Sequence, residues 1–65
     1  MPTYRLVCRY RTWIGKPDPS GFGRFTVASS DPSWLHEEAV RLKRKGHAVY
    51  ATERQETPDA PWRRI

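Results

Sequence analysis

Apolar and basic residues alternate at the start of the chain. Between residues 3 and 11, one parity holds Tyr4, Leu6, Cys8 and Tyr10, and the other holds Arg5, Val7, Arg9 and Arg11. Alternation with a period of two is typical of a half-buried strand, because successive side chains point to opposite sides. We therefore predict a first strand over residues 3–11, with an apolar face toward the core and an arginine face toward solvent.

A second strand follows after a loop rich in proline and glycine. Residues 13–23 (WIGKPDPSGFG) contain two prolines and three glycines, which preset or permit the dihedral angles of turns. In residues 24–29, Phe25 and Val27 share one parity while Arg24 lies on the other. This pattern predicts a hairpin whose second strand directs a further arginine outward.

The helix signals lie in residues 31–46. Asp31 can accept hydrogen bonds from free backbone amides, and Pro32 suits the first helical position. Gly46 favours a stop, so we expect the helix to end at about Lys45. Its buried stripe has the spacing i, i+4, i+7 and consists of Leu35, Ala39 and Leu42.

Residues 47–54 predict a third strand whose orientation the sequence leaves open. In one arrangement Val49 and Ala51 face the helix and Tyr50 points outward, and in the other Ala48 and Tyr50 are buried. We favour the first, because a buried Tyr50 hydroxyl would need a hydrogen-bond partner.

The predicted order of elements, strand, strand, helix, strand, defines an α+β fold. A right-handed crossover makes the third strand parallel to the second. The expected result is a three-stranded sheet of order 2-1-3 with the helix on one face. We assign residues 1–54 to this β-β-α-β domain and residues 55–65 to a polar, proline-containing C-terminal tail. Whether Trp62 docks this tail on the domain stays open.

Charge gives the uncovered face of this sheet a candidate function. Twelve lysines and arginines against seven acidic residues give a net charge of +5, which attracts polyanions. On the open face we expect Arg5, Arg9, Arg11, Arg24 and Arg54 as phosphate contacts and Tyr50 as a stacking ring. The pattern predicts a small basic module that binds DNA or RNA. The alternative is that these arginines only keep an exposed sheet from associating.

Two further features bear on partners. A second basic cluster at the helix end consists of Arg41, Lys43, Arg44, Lys45 and His47, where the helix dipole stabilises cations. We expect it on the opposite side from the sheet arginines.

The loop carries Trp13, Ile14 and Phe22, which either fold back over the core or dock on a protein. The alternative function is an interaction factor, an inhibitor of a host protein or a homodimer, that uses the Trp13 and Phe22 loop or the open sheet face.

The sequence contains no catalytic or metal-binding constellation. His36 opens a stretch similar to a zinc-protease helix, but Val40 stands where the second histidine belongs. The one cysteine, Cys8, lies on the apolar parity, and we expect it buried as a small apolar residue. We predict no enzymatic activity, no cofactor and no metal.

The longest apolar run is the tripeptide LVC, far shorter than the roughly 20 residues of a membrane span. We therefore predict no membrane association. A lone cysteine favours a reducing compartment, so we expect a cytoplasmic location.

One resemblance spans most of the chain. It rests on the basic first strand, the GKPDPSGFG loop, the helix that ends in KRKG and the closing HAVYA strand. This layout resembles short uncharacterised proteins of actinobacterial phages. The resemblance implies expression in a bacterial cytoplasm and a role as an accessory or host-modulating factor, and it transfers no functional residue.

Overall fold

Four strands form one antiparallel sheet with a helix on one face. The computed structural model describes all 65 residues. The elements are β1 (Thr3–Arg9), a 3-10 turn (Arg11–Trp13), β2 (Arg24–Ser29), α1 (Pro32–Arg44), β3 (Ala48–Gln55) and β4 (Arg63–Arg64). The strand order is β2-β1-β3-β4. The α+β class and the order of the first three strands are confirmed, and β4 is an addition from the predicted tail.

The helix begins and ends where the sequence predicts. An oxygen of the Asp31 carboxylate accepts hydrogen bonds from the backbone amides of Ser33 (3.0 Å) and Trp34 (3.3 Å). At the other end, Gly46 has a φ of +90°, a conformation that glycine adopts without a steric penalty. The amide of His47 then donates to the carbonyl of Leu42 at 3.1 Å, which closes a Schellman motif. This motif brings the chain directly from the helix into β3.

The core lies between α1 and the centre of the sheet. Leu6 and Cys8 of β1 pack there with Leu35 and Leu42 of α1. The partly buried residues around them are Tyr4, Phe25, Val27, Ala39 and Val49. The predicted apolar parities of β1 and β2 and the predicted stripe of the helix are thus confirmed. Cys8 is fully buried, and this burial raises the pKa of its thiol.

Because β3 contains a bulge, its residues before and after the bulge differ in how they match the predicted orientation. Val49 lies opposite Cys8, whereas Ala51 lies opposite Val7 on the other face of the sheet. Tyr50 is the additional residue between them, and it is 57% exposed. The prediction was right for Val49 and for the exposure of Tyr50, but wrong for Ala51. An extra residue reverses the side-chain parity of everything that follows it.

The tail from residue 55 returns to the sheet. Arg63 and Arg64 pair with Arg54 and Glu53 as β4. Trp62, just before β4, lies against the guanidinium of Arg5 on the face of the sheet away from the helix. The tail is therefore docked on the domain, and Trp62 covers part of the face that we expected to be open.

Candidate functional site

Arg5 lies on the predicted face, but its charge is engaged within the molecule. Its Nε donates to the Glu53 carboxylate at 2.7 Å, across the β1–β3 pair. Its guanidinium carbon also lies 4.2 Å from the centre of the Trp62 ring, in a cation–π contact. A cation that is ion-paired and stacked offers little to a phosphate, so we remove Arg5 from the candidate site.

Arg54 lies on the opposite face from the one predicted. Its Cα pairs with that of Tyr4, whose ring packs against the core on the helix side. The guanidinium lies 5.7 Å from the Tyr4 ring centre and is ion-paired with Glu56 at 2.9 Å. The bulge at Tyr50 is the physical reason, because it reverses the parity of β3 beyond that point.

Arg9 and Arg24 do share the open face, as predicted. They are direct cross-strand partners in the β1–β2 pair. An Nη atom of Arg9 donates to the carbonyl of Lys16 at 2.6 Å, and neither arginine forms a salt bridge. Like charges directly opposite each other destabilise a sheet. This pair therefore creates a position where an anion would be favourable.

Arg11 leaves the sheet altogether. β1 ends at Arg9, and Arg11 begins the 3-10 turn beside the end of α1. Its backbone amide donates to Nδ1 of His47 at 3.1 Å. A Cβ at Gly46 would lie 3.7 Å from the Arg11 Cδ, so the two segments are in contact. The prediction of a sheet position for Arg11 was wrong, because the chain turns at Tyr10 to begin the loop.

These placements join two clusters that the sequence analysis kept apart. The C-terminal end of β1, the start of β2, the start of β3 and the end of α1 all lie at one end of the molecule. We call this the basic end, and its cations are Arg9, Arg11, Lys16, Arg24, Lys43, Arg44 and Lys45. Asp18 is its one carboxylate, and that carboxylate accepts a hydrogen bond from the Gly23 amide at 2.7 Å.

The rest of the molecule is nearly neutral. It has five cations, Arg5, Arg41, Arg54, Arg63 and Arg64, and six acidic residues, Asp31, Glu37, Glu38, Glu53, Glu56 and Asp59. None of the seven cations of the basic end forms a salt bridge: Arg5–Glu53 and Arg54–Glu56 lie at the other end of the sheet, and Arg41–Glu38 joins two residues of α1. The net positive charge of the chain is therefore concentrated at one end, on side chains without an acidic partner.

Aromatic rings lie among these cations. Tyr10 stacks on Phe25 with ring centres 4.3 Å apart, and the His47 ring stands edge-on to both at 5.7 Å. The alternation in β1 predicted Tyr10 on the buried side, so Tyr10 was not among the predicted site residues. The residue is in fact 42% exposed, and it follows directly after the end of β1.

The loop after Tyr10 is ordered by its own contacts. The Tyr10 amide donates to the carbonyl of Gly23 at 2.8 Å, which closes the loop. Trp13 packs on Gly23, where a Cβ would lie 2.6 Å from the Trp13 Cβ and Cγ. Phe22 is 77% exposed and Ile14 is 45% exposed. Of the three predicted partner residues, Trp13 thus folds back while Phe22 and Ile14 stay accessible.

Comparisons with known proteins give no relative. No family model, curated protein or solved structure matches this chain. The structure brings no three metal-ligating side chains together. It also has no helix with the length and apolar character needed to cross a membrane.

Proposed function

We propose that this protein binds nucleic acid electrostatically through the basic end. The observation that carries the proposal is the separation of charge: seven cations against one carboxylate at this end, with no salt bridge among them. Unpaired cations held close together repel one another, and a phosphate backbone relieves this repulsion while it releases its own counterions. Four of the seven are arginines, whose planar guanidinium suits two phosphate oxygens at once.

The proposed interface differs from the arginine face predicted from sequence. Arg9 and Arg24 remain as phosphate contacts, and Arg11 joins them from the end of α1 together with Lys43, Arg44 and Lys45. Arg5 and Arg54 are left out because acidic partners neutralise them. The proposal assigns no enzymatic step and places the protein in a bacterial cytoplasm, where nucleic acid is accessible.

A pair of double variants with equal charge tests this proposal. Arg11→Gln with Arg24→Gln removes two charges from the basic end, and Arg63→Gln with Arg64→Gln removes two from the far side of the sheet. All four side chains are exposed, so neither variant disturbs the core. The measurement is the affinity for labelled single-stranded DNA, duplex DNA and RNA over a series of salt concentrations.

We expect the first variant to bind weakly and the second to bind nearly as well as the wild type. The slope of log affinity against log salt should fall by roughly 1.4 to 1.8 in the first variant, since each lost phosphate contact contributes ~0.7–0.9. Equal losses in the two variants would mean that only net charge matters. Wild-type affinity that ignores salt would overturn the proposal.

The exposure of Phe22 and Ile14 supports a second candidate function, binding to a protein. An exposed aromatic residue on a stiffened loop loses little entropy when it docks. The test is Phe22→Ala, which leaves every cation in place. A host protein bound by the wild type and by the Arg11/Arg24 variant, but not by Phe22→Ala, would favour this function. Unchanged binding of that protein to Phe22→Ala would count against it.

A further inference from the structure

A cleft at the basic end is lined by three residues whose side chains all carry nitrogen. Its walls are the side chains of Arg11, Lys45 and His47, and its volume is about 290 Å³. No carboxylate lines it. A recess of this composition suits a phosphate group, because each wall residue can donate a hydrogen bond or supply a positive charge.

The contact between Arg11 and His47 determines which nitrogen of the neutral His47 ring carries the proton. Nδ1 of His47 accepts the Arg11 amide at 3.1 Å, so the neutral imidazole carries its proton on Nε2. Nε2 is therefore a donor even without a positive charge on the ring. The same hydrogen bond fixes the ring beside the cleft.

The Tyr10 ring lies next to a wall of this cleft and contacts two other rings. His47 connects the two, since its ring lines the cleft and stands edge-on to Tyr10 at 5.7 Å. One side of Tyr10 stacks on Phe25, and 42% of the residue is left exposed. A ring fixed by two neighbours pays little conformational entropy when another flat group stacks on it.

We infer that the basic end binds unpaired nucleotides, with a phosphate in the cleft and a base stacked on Tyr10. The inference rests on the proposed function and narrows it to single-stranded regions of DNA or RNA. A duplex keeps the faces of its bases stacked on each other, so an exposed protein ring gains nothing from it. An unpaired base offers that face to Tyr10 while its backbone phosphate meets Arg11, Lys45 and His47.

The test uses ligands that differ in their bases but not in their phosphates. A labelled thymine oligonucleotide of about 12 nucleotides, within the ~4–16 nucleotides that small single-strand sites cover, is compared with an abasic strand of equal length and with a duplex. An RNA strand of the same length separates the two sources of unpaired bases. The protein variants are Tyr10→Leu, which removes the ring, Tyr10→Phe, which keeps it, and Tyr50→Leu, which removes another exposed tyrosine.

We expect the wild type to bind the base-bearing strand at least about fivefold more tightly than the abasic strand, the ratio that one base–aromatic stack gives. Tyr10→Leu should lose this preference and keep its affinity for the abasic strand. Tyr10→Phe and Tyr50→Leu should retain the preference. Circular dichroism and a thermal midpoint show whether Tyr10→Leu has kept its fold, and the unchanged abasic affinity gives the same check within the binding assay.

The outcomes separate this inference from the proposed function. Equal wild-type affinity for base-bearing and abasic strands, tighter binding to the duplex, or a preference that survives Tyr10→Leu would each overturn the stacking site. Salt-dependent binding that needs Arg11 and Arg24 would still stand in those cases. If the Arg11/Arg24 variant binds like the wild type, the proposed function itself is wrong, whatever Tyr10→Leu does.

Discussion

The two ends of this small sheet use the same residue types in opposite ways. At the far end, formed by the start of β1, the C-terminal half of β3 and β4, Arg5 and Arg54 are both ion-paired, and Arg63 and Arg64 of β4 are the two cations without a salt bridge. At the basic end no cation has an acidic partner. The comparison teaches that the number of arginines on a strand does not measure how cationic its surface is, because pairing with neighbouring strands decides it.

The aromatic residues of the two ends also differ in whether their rings are used within the molecule or left exposed. Trp62 covers Arg5 and fastens the returning tail to the sheet, so its ring is used within the molecule. Tyr10 rests on Phe25 and keeps part of its surface exposed. The ring at the far end therefore contributes to the fold, whereas the basic end leaves both charge and ring surface exposed.

Among variants that test the difference between the two ends, Gly23→Ala is expected to change the unfolding free energy most. The added Cβ would lie 2.6 Å from Trp13 and 2.9 Å from an Asp18 oxygen, so the loop of the basic end must shift. Overpacking of this kind costs about 1–3 kcal/mol of unfolding free energy. Urea denaturation of the variant and the wild type measures it.

A double-mutant cycle isolates the cause. Trp13→Ala removes the side chain that the new Cβ would meet, so the two changes together should cost less than their separate sum. Strict additivity would show that the Trp13 contact is not the source of the loss.

A smaller effect is expected at the far end from Trp62→Ala. The change removes a half-buried ring and its cation–π contact with Arg5, which together contribute about 1–2 kcal/mol. Trp62→Phe keeps a ring over the guanidinium and should lose less. Thermal unfolding of both variants measures the difference. Nucleic-acid affinity should not fall in either, and a large fall would break the division of roles between the two ends.

A still smaller effect, of opposite sign, is expected from Arg24→Glu. The new carboxylate would stand opposite Arg9 in place of a like charge. A cross-strand pair of opposite charges contributes about 0.2–1 kcal/mol, so stability at low salt should rise while binding weakens. Arg24→Gln, which only removes the charge, should lie between the two. No gain in stability at low salt would show that the Arg9–Arg24 pair carries no repulsion.

The smallest effect on stability at neutral pH is expected from ionisation of Cys8, which lies in the core that both ends share. Burial raises the pKa of its thiol above the ordinary value of 9.0, so the folded state favours the neutral thiol. At neutral pH, ionisation of this thiol therefore does not lower the unfolding free energy. As the pH rises through the ordinary value, the unfolded state loses its proton first, and the unfolding free energy falls.

Comparison with Cys8→Ala isolates this dependence from that of other titrating groups. The difference in unfolding free energy between the two proteins should be constant near neutral pH and should shrink in alkaline solution. A difference that stays constant into alkaline solution would contradict the burial of the thiol.

The features that the sequence determined by itself depend on neighbouring residues. Asp31 and Gly46 bound the helix through contacts made within a few residues of themselves, so the local sequence was sufficient to predict them. The alternation in β1 and β2 likewise specified the buried faces, because a strand with one apolar side has only one way to bury it. The fold class and the order of the first three strands followed from these elements.

The candidate site depended on contacts between distant segments. Arg5 and Glu53 are 48 residues apart in the sequence, and only the register of β1 against β3 brings them together. Two other features are likewise not visible in the hydrophobic periodicity or the charges of the nearby sequence. One is the bulge at Tyr50, which moves Arg54 to the other face of the sheet. The other is the turn at Tyr10, which brings Arg11 to His47. The sequence thus determined how many cations the protein has and that Arg5, Arg9, Arg24 and Arg54 lie on strands. Only the tertiary structure decided which of them are neutralised, because pairing depends on strand register and on where each segment turns.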